Sequence, residues 1–553
     1  MLQQAPMMQN KASWWQTATA YQIYPRSFCD SNGDGIGDIP GIISKLDHLR
    51  DLGIGFVWLS PVFASPMADN GYDISDYRDI APEFGTLADM DRLIAEARAR
   101  GIGIVMDLVV NHTSDEHAWF QDARASRSST FRDFYVWRDP APDGGYPNDL
   151  QSHFGGSAWT LDEATGQYYL HLFDRKQPDL NWENPEVRKA VYEMMNWWFD
   201  RGIAGFRMDV IDLIAKEVDR GITADGPRLH DYLQEMHRET LAERDVVTVG
   251  EAWSANLGNA LLYSGRNRGE LSMVFQFSHI TAFLDPVHGK WKARPVDLRQ
   301  LKGILNAWQK ALAEDGWNSL FWSNHDLPRA VSTYGDDGEG RIASAKMLAT
   351  VLHLMRGTPY IYQGEEIGMT NMTFDDISQF NDVEIRNNFT LQQDLGLSAA
   401  EFLAGANANG RDNARTPMQW TGGEAAGFTT GTPWLAVNPN HTEINVAADR
   451  ANPKGIFEHY RKLARLRSDL PIISFGDYNA FAEDHPAVFA YARTLGPDRL
   501  AVVANFTGEQ VAFDVPEGLA IAGRSLIASD APRSGLSGRI LLAPYEAFAI
   551  LKD

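Results

Sequence analysis

Asp209, Glu251 and Asp326 each stand where an apolar, strand-like run breaks into polar residues, in GIAGFRMDV, DVVTVGEAW and SLFWSNHD. Acids at the carboxyl ends of successive buried strands meet at one mouth when the strands form a parallel barrel, because the loops that leave them converge there. Arg207 lies two residues before Asp209. In a strand both side chains share a face, so the guanidinium would hold the aspartate ionised and oriented, as a nucleophile needs. Glu251 ends a valine-rich strand, a partly desolvated setting that suits a carboxyl donating a proton. Taken singly, each acid reads as a helix cap or a loop ion pair, and Arg207 as a surface ion pair. Taken together they describe a carboxylate-based active site.

Strands must place those acids. Eight candidates run along the chain: AYQIYPRSF, GFVWLSPVF, GIVMDLVVNH, IAGFRMDVI, VVTVGEAW, SMVFQF, SLFWSNHD and PYIYQGEEIG. Amphipathic stretches such as LADMDRLIAEARAR and PEVRKAVYEMMNWWFD separate most of them. Eight such units predict an α/β fold, a (β/α)8 barrel. The rhythm fails between Asn111 and about Asn184, where aromatic residues, Gly, Pro and Asp crowd a segment too long for an ordinary loop. A small inserted domain after strand three is expected there, above the mouth. Past Pro471, AVFAYAR, LAVVANF, VAFDV and AFAILK alternate as an antiparallel β-sandwich would. The expected organisation is residues 1–110 and 185–470 for the barrel, 111–184 for the insert and 471–553 for the C-terminal β domain.

With 553 residues and 44% hydrophobic content the chain can bury a large core. Its 50 basic and 73 acidic residues give a formal net charge of −23, which repels nucleic acid and anionic membrane and favours a neutral small-molecule ligand. Cys29 stands alone, so an internal disulfide is impossible and a buried thiol is expected. MLQQAPMMQNKASWWQTATA lacks the charged start, apolar stretch and cleavage site of a signal peptide, and no apolar run could span a bilayer. The expectation is a cytoplasmic monomer or homodimer.

YQIYPRSF, DSNGDGIGD, DNGYDISDY, DLVVNHTS, FGGSAW, KQPDLNWENPEV, GFRMDV, VGEAW, WSNHD and ARTPMQW resemble, in order and in spacing, the α-amylase superfamily of glycoside hydrolases. Within it the likeness is to the oligo-1,6-glucosidase and dextran glucosidase branch. It covers nearly the whole chain and is weakest in the C-terminal part. The resemblance implies a retaining, exo-acting α-glucosidase that hydrolyses α-1,6 bonds at the non-reducing end of isomaltose and short isomaltooligosaccharides, without an organic cofactor. Such cleavage needs an ionised carboxylate to attack the anomeric carbon and a protonated one to serve the leaving oxygen, about 5–5.5 Å apart. The match at GFRMD makes Asp209 the nucleophile, that at GEAW makes Glu251 the acid/base, and that at NHD makes Asp326 the stabiliser of the oxocarbenium-like state. By the same resemblance His112 and His325 hydrogen-bond sugar hydroxyls. Asp69, Tyr72 and Arg415 grip the terminal glucose, with Tyr72 stacked on its face, and Phe154, Phe173 and Gln177 line the pocket. An α-1,4-glucosidase, or a transglucosylating or sucrose-isomerising enzyme, shares the triad and stays open as an alternative. The non-catalytic transporter subunits among the relatives carry a membrane helix and degraded acids, and this chain has neither pattern.

In DSNGDGIGD, oxygen donors alternate at Asp30, Asn32, Asp34, Ile36 (through its carbonyl) and Asp38, as in an EF-hand loop, although the glutamate at position 12 is missing. An acidic, glycine-rich turn is the plain reading. The related enzymes carry calcium in the matching loop, so the resemblance favours a structural calcium remote from catalysis, replaceable by magnesium. Linkage preference rests on Val210: in the resembling enzymes valine after the nucleophile accompanies α-1,6 cleavage, and threonine or alanine accompanies α-1,4. After the acid, AWSANLGNA departs from the MP-containing sequence common in close relatives, which bears on the acceptor site.

Overall fold

The computed structural model describes residues 12–552. The opening MLQQAPMMQNK, part of the segment read above for a leader, lies outside them. The strands are β1 (Ala20–Ile23), β2 (Phe56–Leu59), β3 (Gly103–Val109), β4 (Gly205–Asp209), β5 (Val247–Glu251), β6 (Met273–Phe275), β7 (Ser319–Leu320) and β8 (Thr358–Tyr362). Neighbours pair in parallel, β8 pairs back onto β1, and the parallel bridge between Val274 and Asn318 joins β6 to β7. The barrel is the one the apolar runs predict, because strands buried on both faces read as continuous hydrophobic stretches. The ordered strands are shorter than those runs. AYQIYPRSF leaves the sheet where Pro25 opens a 3-10 turn, since proline cannot donate to the ladder. Gly205 lets β4 lie against β5: a Cβ there would collide with the Val247 carbonyl.

Helix α1 (Leu87–Ala99) starts at a capping box between Thr86 and Asp89 and buries Met90, Leu93, Ile94 and Ala97. Helix α2 (Pro185–Arg201) starts with an Asn184 cap and Pro at its first position, and stops at left-handed Gly202. Between β3 and α2 the insert forms a three-stranded antiparallel sheet from Trp137–Arg138, Gln167–Leu170 and Trp159–Asp162. Its apolar core takes in Val210 and Leu213 from the loop after β4, which seats the insert over that strand's carboxyl end.

The C-terminal sheet contains β9 (Asp477–Phe481), β10 (Val488–Leu495), β11 (Asp498–Asn505), β12 (Arg524–Ala528) and β13 (Ala547–Lys552), antiparallel in the order β9-β10-β11-β13-β12. Alternation divides its faces. Val488, Ala490 and Ala492 pack on Phe513, Leu536 and Leu542 from two small ladders, while Phe489 and Tyr491 join the main core. Cys29 is buried and free. Among the described residues no helix is long and apolar enough to cross a membrane.

Candidate active site

Strands β4 and β5 end side by side on Asp209 and Glu251. The buried Arg207 guanidinium lies between the two acids. Its Nη1 donates to Asp209 Oδ1 at 2.6 Å and to Asp107 Oδ1 at 2.9 Å, and its Nη2 pairs with Glu251 Oε2 at 2.6 Å. Asp107, from β3, also accepts from Trp58 Nε1 and the Tyr72 hydroxyl, both at 3.0 Å. The sequence reading passed over it, although a lone acid inside the apolar run GIVMDLVV was the available signal.

Three buried carboxyls therefore share one cation. Burial raises Asp209 well above the ordinary carboxylate range; Arg207 pulls it down while Glu251 and Asp107 push it up. Burial likewise lifts Asp107 to about 6 against the pull of Arg207. Arg207 reaches Asp209 across the strand face the two share, and the same guanidinium also serves Asp107 and Glu251. Glu251 also differs from the apolar setting its valines implied: it accepts from the Val210 amide at 3.1 Å and from Trp253 Nε1 at 3.2 Å.

Val210 lies just past β4 instead of within it. Its backbone is left-handed, φ 34° and ψ 45°, a conformation that a β-branched residue keeps only where its surroundings over-determine it. The turn aims the amide at Glu251 and sends the side chain into the insert's core.

Asp326 sits in the loop beyond β7, not at the strand end. Arg415 Nη2 donates to its Oδ1 at 2.7 Å, and His325 Nε2 lies 3.1 Å from its Oδ2. Burial pushes His325 down to about 3, so it is neutral. Gln22 Nε2 meets its Nδ1 at 2.8 Å, which leaves Nε2 carrying the proton toward the Tyr72 hydroxyl at 2.6 Å and Asp326. Tyr72 stacks on the His325 ring, 5.3 Å between centroids and 7° between planes, so one of its faces is already covered.

Asp69, Gln177 and His112 are buried and gather together in the cavity lining. Gln177 Nε2 lies 3.2 Å from Asp69 Oδ2, from the Tyr72 carbonyl and from His112 Nε2. Burial raises Asp69 to about 7 against Arg411 and Arg415. Its buried Oδ1 makes no hydrogen bond, although Arg411 Nη2 stands 3.7 Å away. Burial pushes His112 down to about 4, and Phe173 packs on both His112 and Phe154. Asp69, Tyr72, His112, Phe154, Phe173 and Gln177 share a cavity of about 620 Å³ with Asp209, Val210, Glu251 and Asp326. Arg207, His325 and Arg415 brace these groups without being among the residues that line it. Arg411, which the sequence reading missed, does line it, is held by Asp382 and lies over the Phe154 ring.

The α-amylase catalytic domain matches residues 22–476. The chain belongs to the α-amylase family. It is 58% identical to the palatinase of Erwinia rhapontici over 541 residues, 97% of this chain and 98% of that one. It is 52% identical to the oligo-1,6-glucosidase of Halalkalibacterium halodurans over 552 residues, again 97% and 98%. The solved trehalose-6-phosphate hydrolase of Bacillus licheniformis superposes with a TM-score of 0.93 at 47% identity, covering 98% of this chain and all of that one. The expected barrel with an antiparallel C-terminal β domain is the fold of this α-amylase-family glycosidase.

Its DSNGDGIGD loop closes on its own amides. Asp30 accepts from the amides of Asn32, Gly33 and Gly35, and Asp34 from that of Ile36. Asp38 caps the following helix through Gly41 and also accepts from Ser31. Among the described residues no three His, Cys, Asp or Glu side chains are gathered to hold a metal. The donor types still suit a hard cation, which would draw on carboxylate, amide and backbone oxygens together.

Proposed function

We propose that this α-amylase-family chain is a retaining, exo-acting α-glucosidase that hydrolyses α-1,6-glucosidic bonds at the non-reducing end of isomaltose and short isomaltooligosaccharides. The observation that carries the reading is the Arg207 guanidinium, with Asp209 on one terminal nitrogen and Glu251 on the other. Asp209 attacks the anomeric carbon as Glu251 protonates the departing oxygen. Glu251 then takes a proton from the water that releases glucose with its configuration kept. Asp326, fixed by Arg415, places negative charge beside the oxocarbenium-like centre. Asp69, Gln177 and Arg411 close one end with polar groups, which suits a terminal glucose and an attack from the chain end.

Linkage is supported by the name of one relative, an oligo-1,6-glucosidase. Val210, which lines the cavity, adds to this. A calcium ion in the DSNGDGIGD loop, held by Asp30, Asn32, Asp34, the Ile36 carbonyl and Asp38, and a cytoplasmic location belong to the same proposal. The alternating oxygens support the first, and the single cysteine the second. The test is kcat/KM on isomaltose, palatinose, maltose and sucrose with all products identified. Isomaltose and palatinose should exceed maltose, and free glucose should dominate. A preference for maltose, or conversion of sucrose chiefly to an isomer, would sink the assignment.

A further inference from the structure

Arg329 stands three residues after Asp326, in the same loop beyond β7, and is 2% exposed. Its guanidinium meets backbone carbonyls. Nε donates to Asn413 at 3.0 Å, Nη2 to Ala414 at 2.9 Å and Nη1 to Gln363, just past β8, at 2.6 Å. The first two carbonyls lie near the end of the short helix Asp412–Arg415, where a helix leaves such groups without partners of its own. Gly364 leaves room for the guanidinium: a Cβ there would crowd Met369 and lie 3.1 Å from Arg329 Nη1. Burial pulls the Arg329 guanidinium below its ordinary value, so a cation is kept here at a cost in desolvation.

A second arginine crosses the same gap in the opposite direction. Arg415, at the end of that short helix, sends Nε to the His325 carbonyl at 3.0 Å and Nη2 to Asp326 Oδ1 at 2.7 Å. The two segments therefore hold each other: Arg329 reaches from the Asp326 loop to the backbone that carries Arg415, and Arg415 reaches back to Asp326. The Arg329 amide also donates to Asn371 Oδ1 at 2.9 Å, which fixes the loop at the root of the side chain. Arg329 is not among the residues that line the catalytic cavity. We propose that Arg329 is a positioning residue for the transition state: by holding the Asn413 and Ala414 carbonyls it fixes the base of Arg415, and through Arg415 it sets the Asp326 carboxylate beside the oxocarbenium-like centre. A charge that stabilises a transition state must be in place before the reaction, because its effect depends on not having to move. The proposal rests on the glucosidase reading, in which Asp326 has that part.

The test compares Arg329→Gln and Arg329→Lys in the full chain on isomaltose and on α-glucosyl fluoride, with active sites counted so that unfolded enzyme does not enter the rates. In the glutamine variant kcat per site should fall about a hundredfold, the cost of misplacing a reacting group by about 1 Å. The fall should be alike on both substrates, because Asp326 serves the glucosyl unit and not the leaving group, and KM should move much less. Inhibition by deoxynojirimycin, a cationic mimic of the charged transition state, should weaken alongside kcat, and inhibition by glucose should weaken less. The lysine variant keeps the charge and fewer of the donors, so it should lie between. If the glutamine variant is poorly folded, kcat and deoxynojirimycin inhibition in the lysine variant decide alone. In an Arg415→Lys background, Arg329→Gln should cost little more, since both substitutions act on one carboxylate. A lowered melting temperature with kcat per site and inhibition unchanged would make Arg329 a brace of the fold and overturn the proposal, as would full additivity of the two substitutions. A wild-type enzyme that cleaves neither substrate overturns the glucosidase reading, and the proposal with it.

Discussion

At Val210 the left-handed backbone and the buried side chain are separate constraints, and threonine satisfies both, since it keeps the β-branch and nearly the volume. Val210→Thr is expected to move the isomaltose-to-maltose ratio of kcat/KM toward maltose by about 1–3 kcal/mol of transition-state discrimination. The melting temperature should change little unless the hydroxyl is buried unpaired in the insert's apolar core, where it would lower it. An unmoved ratio would assign linkage preference elsewhere, with the AWSANLGNA segment the first candidate. Asp69 gives a pH signature. Its carboxyl titrates near 7 in the fold and near about 4 in the unfolded chain, so between those values it is neutral folded and ionised unfolded. Stability from this group is greatest below about pH 4 and declines up to about pH 7. Asp69→Asn removes the dependence. The gap in melting temperature between variant and wild type should therefore shift in the variant's favour from about pH 4 to about pH 7 and then level off. A gap independent of pH would mean that Asp69 ionises as an exposed carboxyl does.

Strand ends were legible because periodicity and polarity break together there: Asp209 and Glu251 close β4 and β5, as the runs around them implied. What lies off the strands was harder to read. Asp326 is placed by a loop, Arg411 by a short turn near Arg415, and nothing local in GFRMDV announces a left-handed valine. Asp107 escaped because its meaning depends on Arg207, a neighbour only across the β3–β4 ladder. The DSNGDGIGD loop is legible as a donor pattern but not as an ion site, since the same oxygens serve the loop's amides. Exhaustive chelation is expected to lower the melting temperature by several degrees while sparing the initial rate at low temperature, as an ion bound only by the folded state must. Asp34→Ala should copy the effect. An unchanged melting temperature would leave the loop an acidic turn.

For the molecule as a whole, alternation revealed the inner C-terminal strands but not β9 and β12, which lie at the sheet's edges. The β domain is fastened by polar contacts that no sequence pattern shows. Buried Arg493 on β10 donates to the carbonyls of Leu354, Ile473 and Gly476, tying the sheet to the barrel's last helical turns. Arg493→Met strands those carbonyls and should lower the unfolding free energy by about 1.5–3 kcal/mol, the range for hydrogen bonds to a charged group. Denaturant melts would measure it, and kcat and KM on isomaltose should stay at wild-type values. A loss of activity at full stability would mean that the β domain shapes the active site directly.

The most direct test of the account is peptide mapping of the intact enzyme after reaction with a fluorinated α-glucosyl fluoride that loads the nucleophile quickly and leaves it slowly. A single covalent glucosyl group should appear on the peptide that contains Asp209, on that side chain. A label on Glu251, or an unlabelled enzyme that still hydrolyses isomaltose with inversion, would contradict it.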